Sequence, residues 1–396
     1  MQVKIKNIGI INDSVIDVNG LTIVTGKNNS GKTTLGKVLY SLFSSKEKLF
    51  ETATDDIISY VEESLSEVIR NSVVAMLIRK VYHKEHFEND ILYCAYKGEL
   101  PQAESLEEIK TYIIDVCNAL DSLTLGSFKE NLGDMFFLKH YKNEEQFKSE
   151  IDRIKTECRN IIDEIEKLSD FNLYEISKIY KTLKHEFDEQ IAPVRKREAF
   201  LSSVCLRENN DYFQVEIDNK KKAINTEGFF SFNNLTNVVF IDDTTVIDNV
   251  YPSVFRFKSR KRYNDDVQNI EDVISVIDHK YSLIYKLSEG NGIVKSIIDN
   301  DAYDFINTEI TSVFEQDIII KDNKFVCQSD GLTLSNLAMG SKMFAILKML
   351  LANGNINSKT LLILDEPEAH LHPEWQNKLA EIIVLLVKNL NINVII

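Results

Sequence analysis

The octapeptide Gly26-Lys27-Asn28-Asn29-Ser30-Gly31-Lys32-Thr33 constrains this chain more than any other segment, because it fits GxxxxGK[ST] and stands between a strand and a helix. LTIVT before it is a short apolar run, and TTLGKVLYSLF after it places Leu35, Val38, Leu39 and Leu42 on one helical face. A glycine-rich passage from strand to helix gathers backbone N–H groups around a concavity and adds the partial positive charge of a helix N-terminus. Such a loop suits a nucleotide's phosphates. Lys32 is expected to bridge the β- and γ-phosphates, and Thr33, with Thr34 beside it, to offer a hydroxyl to Mg²⁺. ATP and Mg²⁺ are the expected ligands, and α/β is the expected class.

A second chemical feature comes more than three hundred residues later. Leu361-Leu362-Ile363-Leu364-Asp365-Glu366 is an apolar strand ending in two acids, where a carboxylate is costly unless it meets a cation or a donor. Asp365 is expected to hold Mg²⁺, and Glu366 to act as general base or water-orienting group for hydrolysis. Pro367 ends the strand, and a helix opens at Pro373 with Glu374 and Trp375 near its start. His370 and His372, two residues apart with no third ligand nearby, read as turn and interface groups rather than a metal pair.

Residues 2–25 alternate as strands, with a turn at Asn19-Gly20. From about Glu51 to Arg197 the pattern is helical. Only 14 Gly and 5 Pro occur in 396 residues, which disfavours a turn-rich β sandwich. Phe147, Ile151, Ile154, Cys158, Ile161, Ile165 and Leu168 alternate steps of four and three, a heptad seam, and Ile176, Ile179, Leu183 and Phe187 follow on a second helix. At roughly 1.5 Å per residue these helices are short, a hairpin or bundle insertion rather than a long arm. TNVVFIDD reads as a buried strand, 265–316 as mainly helical, DIIIKDNKFVCQSDG as a hairpin, and SKMFAILKMLLANG as a helix closed by Gly354. The expected organisation is an N-terminal lobe over 1–50, a helical insertion over 51–200 and a C-terminal lobe over 201–396.

A net charge of −15 excludes a uniformly basic surface and leaves room only for a local nucleic-acid patch. Arg256, Lys258, Arg260, Lys261 and Arg262, interleaved with Phe255, Phe257 and Tyr263, form the densest basic cluster. It could contact DNA, or equally be a solvated loop balanced by Asp265 and Asp266. Lys220-Lys221-Lys222 is a weaker candidate. Five scattered cysteines without a CxxC pair, and no apolar run of membrane length, fit a reduced, cytoplasmic protein.

Together with Asn336-Leu337-Ala338-Met339-Gly340-Ser341-Lys342, the phosphate loop and the DEPEAHLHP segment resemble an ABC-type ATPase head of the RecF, SMC and OLD branch. The combination NGLTIVTGKNNSGKTT, NLAMGSKMF and LLILDEPEAHLHPEWQ is similar to AAA-family ATPases of prokaryotic antiviral systems: OLD-type, Septu and retron-associated. The resemblance implies a P-loop head with a mixed sheet, interrupted by a short coiled-coil hairpin. It also implies a head-to-head homodimer that sandwiches ATP between one phosphate loop and the other head's signature. Gly340, Ser341 and Lys342 are then nucleotide-facing, and hydrolysis controls a partner or fused nuclease of HNH or TOPRIM type. A DNA-repair or chromosome-maintenance ATPase and a non-hydrolysing ATP-dependent scaffold are the alternative readings. Two departures stand out. Ala338 replaces a serine of the signature, and Asn391-Ile392-Asn393-Val394-Ile395-Ile396 ends without the family's switch histidine, so the sequence reads as truncated after Ile396. No glutamine-loop residue is identified.

Overall fold

The computed structural model describes residues 1–47, 49–72, 74–75, 78, 90–100, 105–123, 144–168, 171–193, 201–209, 211–228, 235–248, 274, 276–288, 300–322 and 324–396. In chain order the elements are β1 (Gln2–Ile8), β2 (Ile11–Asp17), β3 (Leu21–Thr22), α1 (Lys32–Phe43), α2 (Leu49–Arg70), α3 (Ile91–Lys97), α4 (Leu106–Asp121), α5 (Glu144–Leu168) and α6 (Phe171–Glu186). There follow β4 (Leu201–Glu208), β5 (Asp211–Asp218), β6 (Ala223–Gly228), β7 (Asn237–Ile241), a 3-10 turn (Thr244–Asp248), α7 (His279–Ser288) and α8 (Asn300–Thr311). The chain closes with β8 (Ile318–Lys321), β9 (Lys324–Cys327), α9 (Met339–Ala352), β10 (Thr360–Leu364), α10 (Pro373–Leu390) and β11 (Asn393–Ile395). It divides into two compact units: Met1–Glu47, Lys178–Arg262 and Val276–Ile396 form one, Lys48–Ser177 and Tyr263–Ser275 the other.

The first unit is layered. β3, β11, β10 and β7 lie side by side, all parallel, so the strand leading into the phosphate loop and the strand carrying the carboxylates are separated by β11. Both faces of this sheet are covered, which is why its strands read as continuous apolar runs. Val238, Phe240, Leu361, Ile363 and Ile395 pack with α1, α6 and the strands β1, β4 and β5. The alternate residues Val239, Ile241, Leu362, Leu364 and Val394 pack with α7, α8, α9 and α10. Each fully buried Leu or Ile in these layers contributes roughly 1.5–3 kcal/mol.

The expected mixed sheet is in fact two sheets. β1 pairs antiparallel with both β2 and β4, giving a separate five-stranded antiparallel sheet in the order β2-β1-β4-β5-β6. Gly20, at φ +57°, lets the chain leave β2 and enter the parallel sheet at β3. β3 itself is short, but Val24 N–H continues its ladder to the Ile396 carbonyl at 2.7 Å. The hairpin of β8 and β9 pairs Lys321 with Lys324, with Asp322 at φ +52° in the turn.

The second unit is helical over its described elements. Phe147, Ile151, Ile154, Cys158, Ile161 and Ile165 of α5 are all buried, and their seam faces α2 and α4 within a bundle that also holds α3. α4 starts at an N-cap, Ser105, whose hydroxyl accepts the Glu108 N–H at 3.3 Å, and α3 starts at Asp90, which accepts from Leu92 and Tyr93. Among the described residues no helix is long and apolar enough to cross a membrane, and all five cysteines are free thiols.

Candidate active site

The phosphate loop leaves the sheet at the end of β3 and is exposed from Gly26 to Ser30. Asn29 (φ +66°) and Gly31 (φ +106°) turn its backbone, and the Leu35 N–H donates to the Gly31 carbonyl at 2.9 Å to begin α1. A Cβ on Gly31 would lie 2.8 Å from Ile11 Cγ1 at a φ that side chains rarely adopt, so that glycine is required, whereas one on Gly26 would meet only the rotatable Ser30 side chain, its hydroxyl at 2.5 Å. No side chain caps α1 at Gly31. A bound anion can therefore serve as its cap.

Folding brings the carboxylate strand to this loop across 332 positions of sequence, where the Thr33 hydroxyl donates to an Asp365 carboxylate oxygen. Lys32 Nζ donates to the Gly26 carbonyl at 3.3 Å and lies 3.4 Å from Glu366 Oε1. Two hard oxygen donors, Thr33 and Asp365, thus converge beside the loop, a donor set that suits a Mg²⁺ sharing phosphate and water oxygens. Among the described residues no group of three or more His, Cys, Asp or Glu could hold a metal ion by itself. The Asp365 N–H is fixed by the Ile241 carbonyl at 2.9 Å, and Glu366 takes φ +51°, a left-handed backbone that non-glycine residues adopt at a cost of about 1–3 kcal/mol. The turn aims an exposed carboxylate toward Lys32.

The signature residues fall in different surroundings. α9 begins at Met339 with no side-chain cap from Ala338, and Ser341 N–H donates to the Ala338 carbonyl at 3.0 Å. Gly340 is buried, and the close approach it permits is to its own chain: a Cβ there would meet Leu371 Cδ2 at 3.0 Å and the His370 carbonyl at 3.4 Å. Lys342, expected at the nucleotide, is buried, and its ammonium contacts both Asp248 oxygens at 2.7 and 2.6 Å. His370 is exposed at φ +65°, and His372 is the N-cap of α10, its Nδ1 accepting the Glu374 N–H at 3.4 Å. Lys220, Lys221 and Lys222 are exposed between β5 and β6, where Asp218 accepts the first two N–H groups. Arg256, Lys258, Arg260, Lys261 and Arg262 lie outside the described residues.

One charged cluster was not foreseen. Beside the carboxylate strand, Ile241 pairs with Leu364, so Asp242 stands level with Asp365. His279, buried at the start of α7, sets Nδ1 at 2.8 Å from Glu186 and Nε2 at 3.0 Å from Asp242, while its N–H donates to the other Glu186 oxygen at 2.9 Å. Burial alone would lower the imidazole pKa, but the close Asp242 carboxylate, the hydrogen bond to Glu186 and the charge of both acids outweigh it and raise it to about 9. Burial would likewise raise the Asp242 pKa, but His279, Lys280 and Lys37 hold it below the usual carboxylate range. Lys37 of α1 donates to the Glu186 carbonyl at 2.7 Å, which ties the phosphate-loop helix into the same cluster. The paired acids after VVFI were the one visible signal, since a carboxylate ending a buried strand needs a partner.

A family model for the AAA ATPase domain matches residues 1–396. No curated protein and no solved structure matches the chain.

Proposed function

The chain belongs to the AAA ATPase domain family, and from that premise we propose that it binds and hydrolyses ATP at the loop Gly26–Thr33, working as a head-to-head dimer that governs a nuclease partner. The observation that carries the catalytic reading is the convergence of Lys32 with Glu366 and of Thr33 with Asp365 at the tip of the parallel sheet. Lys32 would neutralise the β- and γ-phosphates against backbone N–H groups of the loop. Thr33 and Asp365 would hold Mg²⁺, which when bound supplies charge neutralisation on those phosphates. Glu366, exposed and one residue beyond Asp365, would orient the attacking water and take up its proton.

The finer reading rests on the resemblance of three segments to the RecF, SMC and OLD branch: the loop, the NLAMGSK signature and DEPEAHLHP. In that reading the signature of one head, at Gly340 and Ser341, closes on ATP held by the other. ATP then holds the dimer together, hydrolysis releases it, and the switch controls an HNH or TOPRIM nuclease in defence against phage.

The test is ATP turnover in the native protein and in two variants. Glu366→Gln should lower kcat about 100-fold while ATP still binds, as expected when an interaction made mainly in the transition state is removed. Lys32→Ala should weaken ATP binding itself. Equal rates in the native protein and Glu366→Gln would remove Glu366 from the mechanism. For the defence role, phage plating on cells carrying the native locus should rise when Lys32→Ala is introduced, and unchanged plating would count against it.

A further inference from the structure

The segment after β7 runs from the strand tip beside the carboxylates to the signature helix, and both of its ends are held by charge. At the near end Asp242, level with Asp365, lies against buried His279. In the middle Asp243 closes the turn by accepting the N–H and hydroxyl of Thr245 at 2.8 and 2.7 Å. At the far end Asp248 takes the Lys342 ammonium on both oxygens, and the neighbouring Ile247 is buried in the same apolar cluster as Met343.

Lys342 occupies an unfavourable place for a lysine. Its side chain is only 4% exposed, and it stands in the first turn of α9, where the helix dipole disfavours a cation. A buried ammonium there is tolerated only with a fixed counterion, and removing that partner leaves an uncompensated charge. A leucine or methionine would fill the same space without this cost. The charge therefore fixes a particular partner, and the partner lies on the turn that leads back to the Asp365 side of the sheet.

We propose that Lys342 is a positioning residue: paired with Asp248, it locks the signature helix to the β7 tip, so that a head's own nucleotide site and its signature segment respond together. The proposal rests on the ATP-sandwich reading above. In that arrangement the loop and the signature of one head address different ATP molecules, and a lock between them makes the two sites of the dimer interdependent.

The experiment compares Lys342→Met, Asp248→Asn and the exchanged double variant Lys342→Asp with Asp248→Lys in the full chain. Readouts are ATP affinity, ATP turnover against concentration, and ATP-dependent mass in the Glu366→Gln background. Each single variant should keep ATP affinity within about twofold of native, lose about tenfold in kcat and drop to a Hill coefficient near 1, while the exchanged pair regains most of the loss. Lys342→Met fills the same space without a charge and serves if Asp248→Asn, which leaves the buried ammonium without its counterion, does not fold; failure of both to fold would make the pair purely structural and overturn the proposal. Native kcat and cooperativity in both single variants, or an exchanged pair no better than either, would also overturn it. If the Glu366→Gln protein forms no ATP-dependent dimer, the sandwich reading falls and the lock with it. The two failures are distinct, because a failed lock leaves dimerisation intact.

Discussion

Single residues decide this site through close approach and charge. Gly36, within α1, has no Cβ because the Phe240 ring occupies the space: a Cβ there would lie 2.6 Å from Phe240 Cζ. Gly36→Ala gains about 1 kcal/mol of helix propensity but meets an overpacking cost of roughly 1–3 kcal/mol in a filled layer. The second effect should win, and urea unfolding should show net destabilisation; a more stable Gly36→Ala would mean that Phe240 moves freely. His279 supplies a pH prediction. Its folded pKa of about 9 lies above the ordinary 6.5, so its stabilisation is fully present below about pH 6.5 and is lost as pH rises through about 9. The loss is on the order of 3 kcal/mol at most. Unfolding free energies at pH 6.5 and 9.5 should differ more in the native protein than in His279→Gln, and equal differences would refute the assignment. The phosphate loop and Asp365-Glu366 were legible because their chemistry is contiguous in sequence. His279 went unread, and Lys342 was expected at the nucleotide and not at a carboxylate, since the partners that define them, Glu186 and Asp248, are 93 and 94 positions away.

At the scale of elements, spacing was a good guide to buried faces and a poor guide to partners. The steps of four and three along α5 marked residues that are buried, but the seam faces α2 and α4 of a bundle. Heptad spacing specifies a stripe, and any complementary helix can cover it. Ile154, fully buried in that stripe, should cost about 2–5 kcal/mol when cut to alanine, read by urea denaturation. A loss below about 0.5 kcal/mol would place the residue outside a packed core. Strands behaved likewise. LTIVT, TNVVFIDD and LLILDEP all read as strands, whereas the division into a parallel and an antiparallel sheet depends on which edges meet, and alternation within a strand carries no record of that.

For the whole molecule, membership of the AAA ATPase domain family supports ATP-binding and ATPase activity in general, and the proposed site at the sheet tip with the proposed dimer would give that activity a two-state output. Net charge −15 bears on that dimer, because two acidic copies repel at long range and ATP adds further negative charge between them. Dimerisation should therefore strengthen as salt rises from about 0.05 to 0.3 M, a range over which the screening length shortens markedly. Light scattering with saturating Mg-ATP checks this, and weakening with salt would show that attractive ion pairs dominate the contact. The most direct test of the account is the mass of the Glu366→Gln protein by sedimentation with and without Mg-ATP. A monomer without nucleotide and a stable dimer with it are expected; a protein that binds ATP and remains monomeric at saturation would contradict an ATP-held dimer.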